Sequence, residues 1–405
     1  MTYNQAIEYI HSLGKFSQNP SLCRVEKALA FLDNPQNKFK SIHIAGTNGK
    51  GSVTVMTASV LKESGYKTGM FVSPYIINFR ERIQINGDFI SEADLCRLCE
   101  RVKALDVKLC EFEFITVMAF LYFAENGIDV AVVETGLGGR LDATNTLQNV
   151  LVSCITKIGL DHTGILGDTV EQIANEKCGI IKRGKTVTTP YQPKAALQVI
   201  KEHDKNVIIP DITKLEILKS DIGNTFIYKG VRYKTGLSGQ YQIENALCAI
   251  EVLLNCTLNI SDIAMLKGIE SAFIPARAEI ISRSPLVLLD GAHNPDGATV
   301  LEGIMRGYKN ITAIIGVMQD KDFEEVLKIT LPRCSKVICV SVSDMPRALD
   351  AQSLCSVAQK YCDNAVCADS YEDAVALVGK NSNLFVFGSL YLASGIRELL
   401  KETYK

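Results

Sequence analysis

Tryptophan is absent from this chain, and several patterns that would assign a class at once are missing with it. No apolar run approaches the length of a membrane span, and Met1 to Ile10 lacks a basic-then-apolar leader. The expectation is therefore a cytoplasmic protein with no membrane partner. Neither sign of charge is in excess: 43 Lys and Arg against 45 Asp and Glu leave a formal net charge of -2. That balance removes the electrostatic reason to expect nucleic acid. Low-complexity tracts and solenoid-period repeats are lacking. Cysteine is plentiful, at 13, but metal-ligand spacing is not. Cys154, Cys248, Cys339 and Cys367 lie singly on apolar stretches, and one C-x-x-C pair, Cys96 and Cys99, sits in the helical pattern Ser91 to Leu105 with no second ligand pair. Reduced, buried thiols are expected rather than disulfides or zinc.

What is present is a long alternation of strand and helix. A chain of 405 residues exceeds one comfortable core, so two domains are expected, 1–277 and 278–405. In the first, strands fit Phe39–Ile44, Thr68–Val72, Asp129–Glu134, Val150–Thr156, Thr186–Thr189 and Asn206–Ile209, with helical patterns between several of them. A hairpin fits Thr225–Tyr228 and Val231–Lys234, and helices fit Gln240–Leu254 and Asp262–Glu270. After Ile274-Pro275-Ala276-Arg277, read as the linker, a fresh alternation begins. Its strands fit Leu286–Leu289, Ile311–Ile315, Lys336–Val342, Ala365–Ala368 and Leu384–Phe387. The class is α/β: a parallel sheet with crossover helices, then a second, smaller doubly wound α/β domain.

The most informative run is His43-Ile-Ala-Gly-Thr-Asn-Gly-Lys-Gly-Ser52. It follows an apolar strand and leads into a helix with Val53, Met56, Val60 and Leu61 on helical spacing. Strand, glycine turn and helix in that order surround one point with backbone N–H groups, which attracts phosphate. Gly46, Gly49 and Gly51 allow the wrap. Lys50 supplies a point charge, Thr47 or Ser52 a hydroxyl, and Asn48 completes the loop. The general phosphate-loop pattern is met imperfectly, since Ala45 and Gly51 stand where Gly and Ser or Thr are usual.

Glu134 ends an apolar strand and enters Thr135-Gly136-Leu137-Gly138-Gly139, so it is placed to hold Mg²⁺ against a nucleotide. Capping a helix or meeting a lysine is the structural alternative. Asp161-His162 follows another strand, although Mg²⁺ prefers oxygen to imidazole, which favours a hydrogen-bonded loop histidine on chemistry alone. Asp290-Gly-Ala-His-Asn-Pro295 opens the second domain at its first strand end; it reads either as an N-cap cluster or as a group facing ligand.

Together, His43–Ser52, Ser73-Pro74-Tyr75, Glu134–Asn145, Leu160-Asp161-His162, Lys177–Ile181 and Asp290–Pro295 resemble, in order, the folylpolyglutamate synthases of the Mur ligase superfamily. The resemblance runs from Tyr9-Ile-His-Ser-Leu-Gly-Lys15 to Phe387-Gly-Ser-Leu-Tyr391. It implies an ATPase-type domain, a Rossmann-like domain and catalysis in the cleft between them. Lys50 and the glycine loop are then expected on the ATP phosphates, with Ser73, Glu134 and His162 around Mg²⁺. Lys177 is expected as a carbamylated lysine able to bind a second metal, and a monovalent cation such as K⁺ is a further candidate. Asn245, Arg277, Asp290 and His293 match nucleotide-contact positions, Arg277 reaching the phosphates. Arg24, Pro74, Tyr75, Arg82 and Asp142 are expected substrate positions, Arg24 within a pterin-meeting segment Gln18 to Val25. Ser389 and Tyr391 are candidates for holding glutamate. Two departures stand out: Cys178 replaces a commoner alanine, and Ile274 replaces the usual tryptophan before the linker, which puts aromatic stacking there in doubt.

The implied reaction is ATP-dependent ligation of L-glutamate to a folate γ-carboxylate through an acyl phosphate, by a monomer. Gly139-Arg-Leu-Asp-Ala-Thr-Asn145 resembles the form in bifunctional members, which adds dihydropteroate as an acceptor. The rivals are a Mur-type ligase acting on another carboxylate, a nucleotide-switch protein and a dinucleotide oxidoreductase. About forty residues ahead of the first strand are too few for the UDP-binding domain of cell-wall ligases. A switch protein would turn over nucleotide without amino-acid dependence, and an oxidoreductase would bind nicotinamide.

Overall fold

The computed structural model describes residues 1–14, 21–221, 223–343 and 345–404. They form two compact units. One comprises Met1–Lys219, Thr225–Gly236 and Gln240–Phe273, the other Ser220–Asn224, Leu237–Gly239 and Ile274–Lys405.

The first unit is organised by a seven-stranded sheet. Its strands are β1 Lys40–Ala45, β2 Thr68–Phe71, β3 Ile83–Ile85, β4 Asp88–Phe89, β5 Val130–Glu134, β6 Val150–Ile155 and β7 Lys185–Thr188, in the order β4-β3-β2-β5-β1-β6-β7. The five strands from β2 to β7 run parallel, and β3 and β4 extend one edge antiparallel. Every residue of β5 is buried, as expected of a strand covered on both faces. The helix Glu111–Glu125, buried at 12 of its 15 positions, packs in the same core, where Phe39 meets Phe120 and Phe123 edge-on. Register positions the chemistry: Ile44 pairs with Glu134 and Ala45 with Ile155. The carboxyl ends of β1, β5 and β6 therefore finish level, and the loops that follow them meet at one end of the sheet.

A three-stranded sheet follows, β8 Leu215–Asp221, β9 Gly223–Tyr228 and β10 Val231–Lys234, in the order β10-β9-β8. The second unit carries β11 Glu279–Arg283, β12 Leu286–Leu289, β13 Ile311–Ile315, β14 Lys336–Val340, β15 Ala365–Ala368 and β16 Asn383–Phe387, in the order β11-β12-β16-β13-β14-β15. All neighbours pair parallel except β11 with β12, so this sheet is mixed rather than uniformly parallel.

The proposed strands recur within a residue or two of their expected bounds, with one exception. Asn206–Ile209 makes only a single bridge, Ile208 to Val187, before Pro210 ends it. Strands β3, β4, β8 and β11 were not anticipated. The last helix begins at Leu390, where Ser389 caps it. No helix of the described residues is long and apolar enough to cross a membrane.

Candidate active site

The glycine loop after β1 is built as its residue types demand. Gly46 and Gly49 lie at φ +151° and +92°. A Cβ on Gly46 would strike Thr156 Oγ1, and one on Gly49 would strike Asn245 Oδ1. The helix Lys50–Glu63 starts without a side-chain cap, so the unmatched amides of its first turn present a positive end. Within the loop, Thr47 and Asn48 donate their N–H groups to the Lys157 carbonyl at 2.9 and 3.0 Å. Thr47 Oγ1 donates to the Gly159 carbonyl and accepts from the Gly159 N–H, each at 3.1 Å. That hydroxyl is engaged internally, and Ser52, buried at the first helical turn, is the other hydroxyl here.

Two ammonium groups bracket the loop. Lys50 Nζ donates to the Thr47 carbonyl at 3.4 Å, and Lys177 Nζ donates to the Gly46 carbonyl at 2.8 Å. Lys177 is 3 % exposed. Burial, and then the charge of Lys50, push its pKa down to about 8, against smaller upward pulls from Asp161 and Asp142. A buried lysine that readily gives up its proton holds a nucleophilic amine near neutral pH.

Glu134 faces the same loop. Its Oε2 accepts the Ser73 N–H at 3.2 Å, and a Cβ on Gly51 would sit 3.6 Å from that oxygen. Ser73 Oγ accepts from Arg82 Nη1 at 3.2 Å. Arg82 is buried, lies 3.8 Å from Glu111, and sits over the rings of Tyr75 and Phe79 at 5.1 and 5.5 Å. Burial lowers its pKa, opposed by Glu111. Ser73 and Glu134 offer the hard oxygen donors that Mg²⁺ takes, so the residues fit that ion. Pro74 is exposed beside them. His162 adopts a left-handed backbone, φ +49°, with its side chain half exposed and Nε2 3.6 Å from Asp161. Among the described residues no three His, Cys, Asp or Glu side chains gather as a metal cluster.

Asp142 works inside the glycine turn. Its carboxylate accepts the N–H groups of Gly136, Leu137 and Thr144 at 2.9, 2.8 and 3.0 Å, and the Thr144 hydroxyl as well. Burial raises its pKa against those bonds. Thr144 Oγ1 in turn meets His43 Nε2 at 2.8 Å, and His43, fully buried on β1, has a pKa lowered by burial to about 3. The Gly136–Gly139 run packs closely rather than forming a dinucleotide fingerprint. A Cβ on Gly139 would lie 2.6 Å from the Lys177 carbonyl. Arg24 pairs with Glu113 at 2.7 Å; the start of its segment, Gln18 to Pro20, and Lys15 of the N-terminal motif lie outside the described residues. Asn245 donates to Gln242 at 2.9 Å, while its buried Oδ1, beside Gly49, has no protein partner.

In the second unit, Asp290 accepts the N–H groups of Ala278 and Ala292 at 2.6 and 2.7 Å, and burial raises its pKa. Arg277 is exposed between the buried Ala276 and Ala278. His293 Nδ1 lies 2.8 Å from the Gly291 carbonyl. Asn294 caps the helix Pro295–Met305 through the Gly297 N–H, the structural reading of that motif. Ser389 likewise accepts the Tyr391 N–H at 3.1 Å as a cap, and Tyr391 is 44 % exposed.

Sequence reasoning missed the residues that shape these loops. Glu81 accepts the N–H groups of Ile76, Ile77 and Asn78 at 2.8, 2.9 and 2.7 Å. Gln192 donates to the Thr156 carbonyl at 2.7 Å and accepts the Ile158 N–H at 3.0 Å. Glu111 joins Arg82 to His11. Glu81 carried a readable signal, Asn78 followed three residues later by Glu, the spacing of a capping box.

Comparison with known proteins agrees with this architecture. The Mur ligase middle domain matches residues 44–253, and the dihydrofolate synthetase C-terminal domain matches residues 276–401. A dihydrofolate synthase/folylpolyglutamate synthase of Bacillus subtilis is 36 % identical, with 98 % of this chain and 99 % of that protein covered. The crystal structure of a folylpolyglutamate synthase from Thermotoga maritima superposes with a TM-score of 0.89 at 34 % identity, covering 99 % of this chain and 97 % of that one. E. coli FolC in complex with DHPP and ADP gives 0.85 at 28 % identity, covering 100 % and 99 %. The chain belongs to the dihydrofolate synthase/folylpolyglutamate synthase family, within the Mur ligases.

Proposed function

We propose that this protein is an ATP-dependent ligase that joins L-glutamate to the γ-carboxylate of a reduced folate, and that it also adds the first glutamate to dihydropteroate. The observation that carries the reading is the uncapped helix start at Lys50, bracketed by Lys50 and the low-pKa Lys177 and faced by Glu134. The B. subtilis relative, named for both activities, supports it.

The acceptor carboxylate oxygen attacks the γ-phosphorus of ATP, and the bond to ADP breaks. The glutamate amine then attacks the acyl carbon of the resulting acyl phosphate; inorganic phosphate leaves, and the amine loses a proton to give the amide. Phosphoryl transfer of this kind depends on charge neutralisation and positioning. Lys50 and the helix amides hold the outer phosphates, Arg277 adds a guanidinium, and Asn245, Asp290 and His293 hold the nucleotide. Ser73, Glu134 and His162 would hold Mg²⁺, which neutralises phosphate charge. Tyr75 and Arg82, with Pro74, Arg24 and Asp142, line the acceptor side, and Ser389 and Tyr391 the glutamate side. The division of labour follows 1–277 and 278–405, in a cytoplasmic monomer.

Lys177 is proposed to carry a carbamate: its neutral amine adds to CO₂ and releases a proton, turning a cation into a metal-binding carboxylate. Since pKa values near 8 leave a useful neutral fraction at neutral pH, the modification should grow as pH rises through about 8. Native mass spectrometry across pH and bicarbonate tests this; a bare lysine throughout refutes it. For the overall reaction, phosphate release from ATP is expected only when an acceptor and L-glutamate are both present. Full turnover with neither identifies a nucleotide switch instead. Dihydropteroate left unconverted while tetrahydrofolate is extended removes the second activity.

A further inference from the structure

Arg277 stands on an unusual piece of backbone. Its neighbours Ala276 and Ala278 are both left-handed, at φ +51° and +47°, a conformation that disfavours residues bearing a Cβ. Two such residues around one arginine persist only where the surroundings hold them. Here the arch is fastened at three points. Asp290 accepts the Ala278 N–H, the Ala276 carbonyl accepts the Gly291 N–H at 2.8 Å, and Glu279 Oε2 accepts the Ala276 N–H at 3.0 Å. Glu279 is itself locked. Arg397, on the helix Leu390–Thr403, places Nε 3.0 and 2.9 Å from its two oxygens and Nη2 2.8 Å from Oε1. Glu279 is buried, at 4 % exposure, and the Arg397 side chain is 13 % exposed, so solvent screening of the pair is reduced.

We propose that Glu279 and Arg397 are positioning residues: their charged fork holds the 276–278 arch in its left-handed form and thereby aims the Arg277 guanidinium. The idea rests on the reading that Arg277 acts on the phosphates. Neither residue touches substrate; each acts through Arg277. The pair also ties the arch to the helix that Ser389 caps, the helix that carries Tyr391.

A double-mutant cycle on the full-length enzyme tests the idea, with phosphate release as the readout and thermal unfolding as the check on folding. Glu279→Gln keeps an acceptor for the Ala276 N–H but loses the charged fork, and Arg397→Lys keeps the charge but loses the fork geometry. Each is expected to lower kcat by up to ~10²-fold, the scale of an ångström of misplacement, with the KM for glutamate unchanged. In an Arg277→Ala background the same changes should cost nothing further. Equal losses in both backgrounds, or a loss confined to KM, would overturn the proposal. An Arg277→Ala variant with normal turnover would instead defeat the reading of Arg277. Should Glu279→Gln fail to fold, Arg397→Lys carries the same cycle alone.

Discussion

The two units hold their charged groups by opposite means. Around Lys50 the backbone bends where glycine permits it, at Gly46 and Gly49, and the space a Cβ would fill is already taken by Thr156 and Asn245. Around Arg277 the backbone bends equally far using alanines, and carboxylates on either side hold it there. The glycine loop is sterically obliged to be what it is. The alanine arch is conformationally disfavoured and depends on its neighbours. A site that must admit phosphate benefits from bare backbone, whereas one that must aim a long side chain benefits from a tethered frame.

The largest break in this contrast is removal of the loop's own charge. Lys50→Ala should lower ligase turnover by at least ~10²-fold, as loss of a single electrostatic group does, and near-normal phosphate release would deny its role. Gly49→Ala attacks the steric obligation instead. An alanine at φ +92° should cost about 1–2 kcal/mol in stability before any displacement of Asn245, measurable by urea unfolding, and an unchanged midpoint would mean the loop is freer than its geometry indicates.

Beneath the loop, His43 predicts a pH dependence. Its folded pKa, about 3, lies below the ordinary 6.5, so as pH falls the unfolded chain takes up the proton first. Stability should therefore decline as pH drops below 6.5, by up to about 1.4 kcal/mol per unit, until near pH 3. The difference between wild type and His43→Gln isolates this slope; identical pH profiles would contradict it. The smallest effect is expected at the arch. Ala278→Gly should change stability by no more than about 1 kcal/mol, because relief at φ +47° offsets the added freedom of the unfolded chain. A large loss there would show that the alanine methyl itself is needed.

The parts legible in the sequence share a physical cause. β5 is an apolar run buried throughout, the strand before Gly46 places Ile42, Ile44 and Ala45 in the core, and the glycines that follow it mark a turn. Less legible were contacts between residues far apart in sequence. Glu279 finds Arg397 118 residues away, and Glu111 finds His11 100 residues away. Nothing in local periodicity announces either pair. The short strands β3 and β4 and the edge strand β11 escaped for a related reason, since pairing partners rather than composition hold them. Asn206–Ile209 misled in the opposite direction: its β-branched residues suit a strand, but it finds only one bridging partner. Asn294 and Ser389 cap helices, a role these residue types fill by default, so their residue types alone did not separate capping from ligand contact.

The thirteen unpaired thiols carry a practical consequence for spectroscopy. Of these, Cys23 and Cys367 are the exposed ones, the first in one unit and the second in the other. A donor dye and an acceptor dye attached there would report the separation of the two units by energy transfer, with no cysteine introduced. Burial slows reagent at most of the rest, since the thiols of Cys99, Cys178, Cys334 and Cys339 are all pushed well above their ordinary pKa by desolvation. Titrating ATP, acceptor and glutamate into the labelled native protein would then time any rearrangement of the units against the chemistry itself.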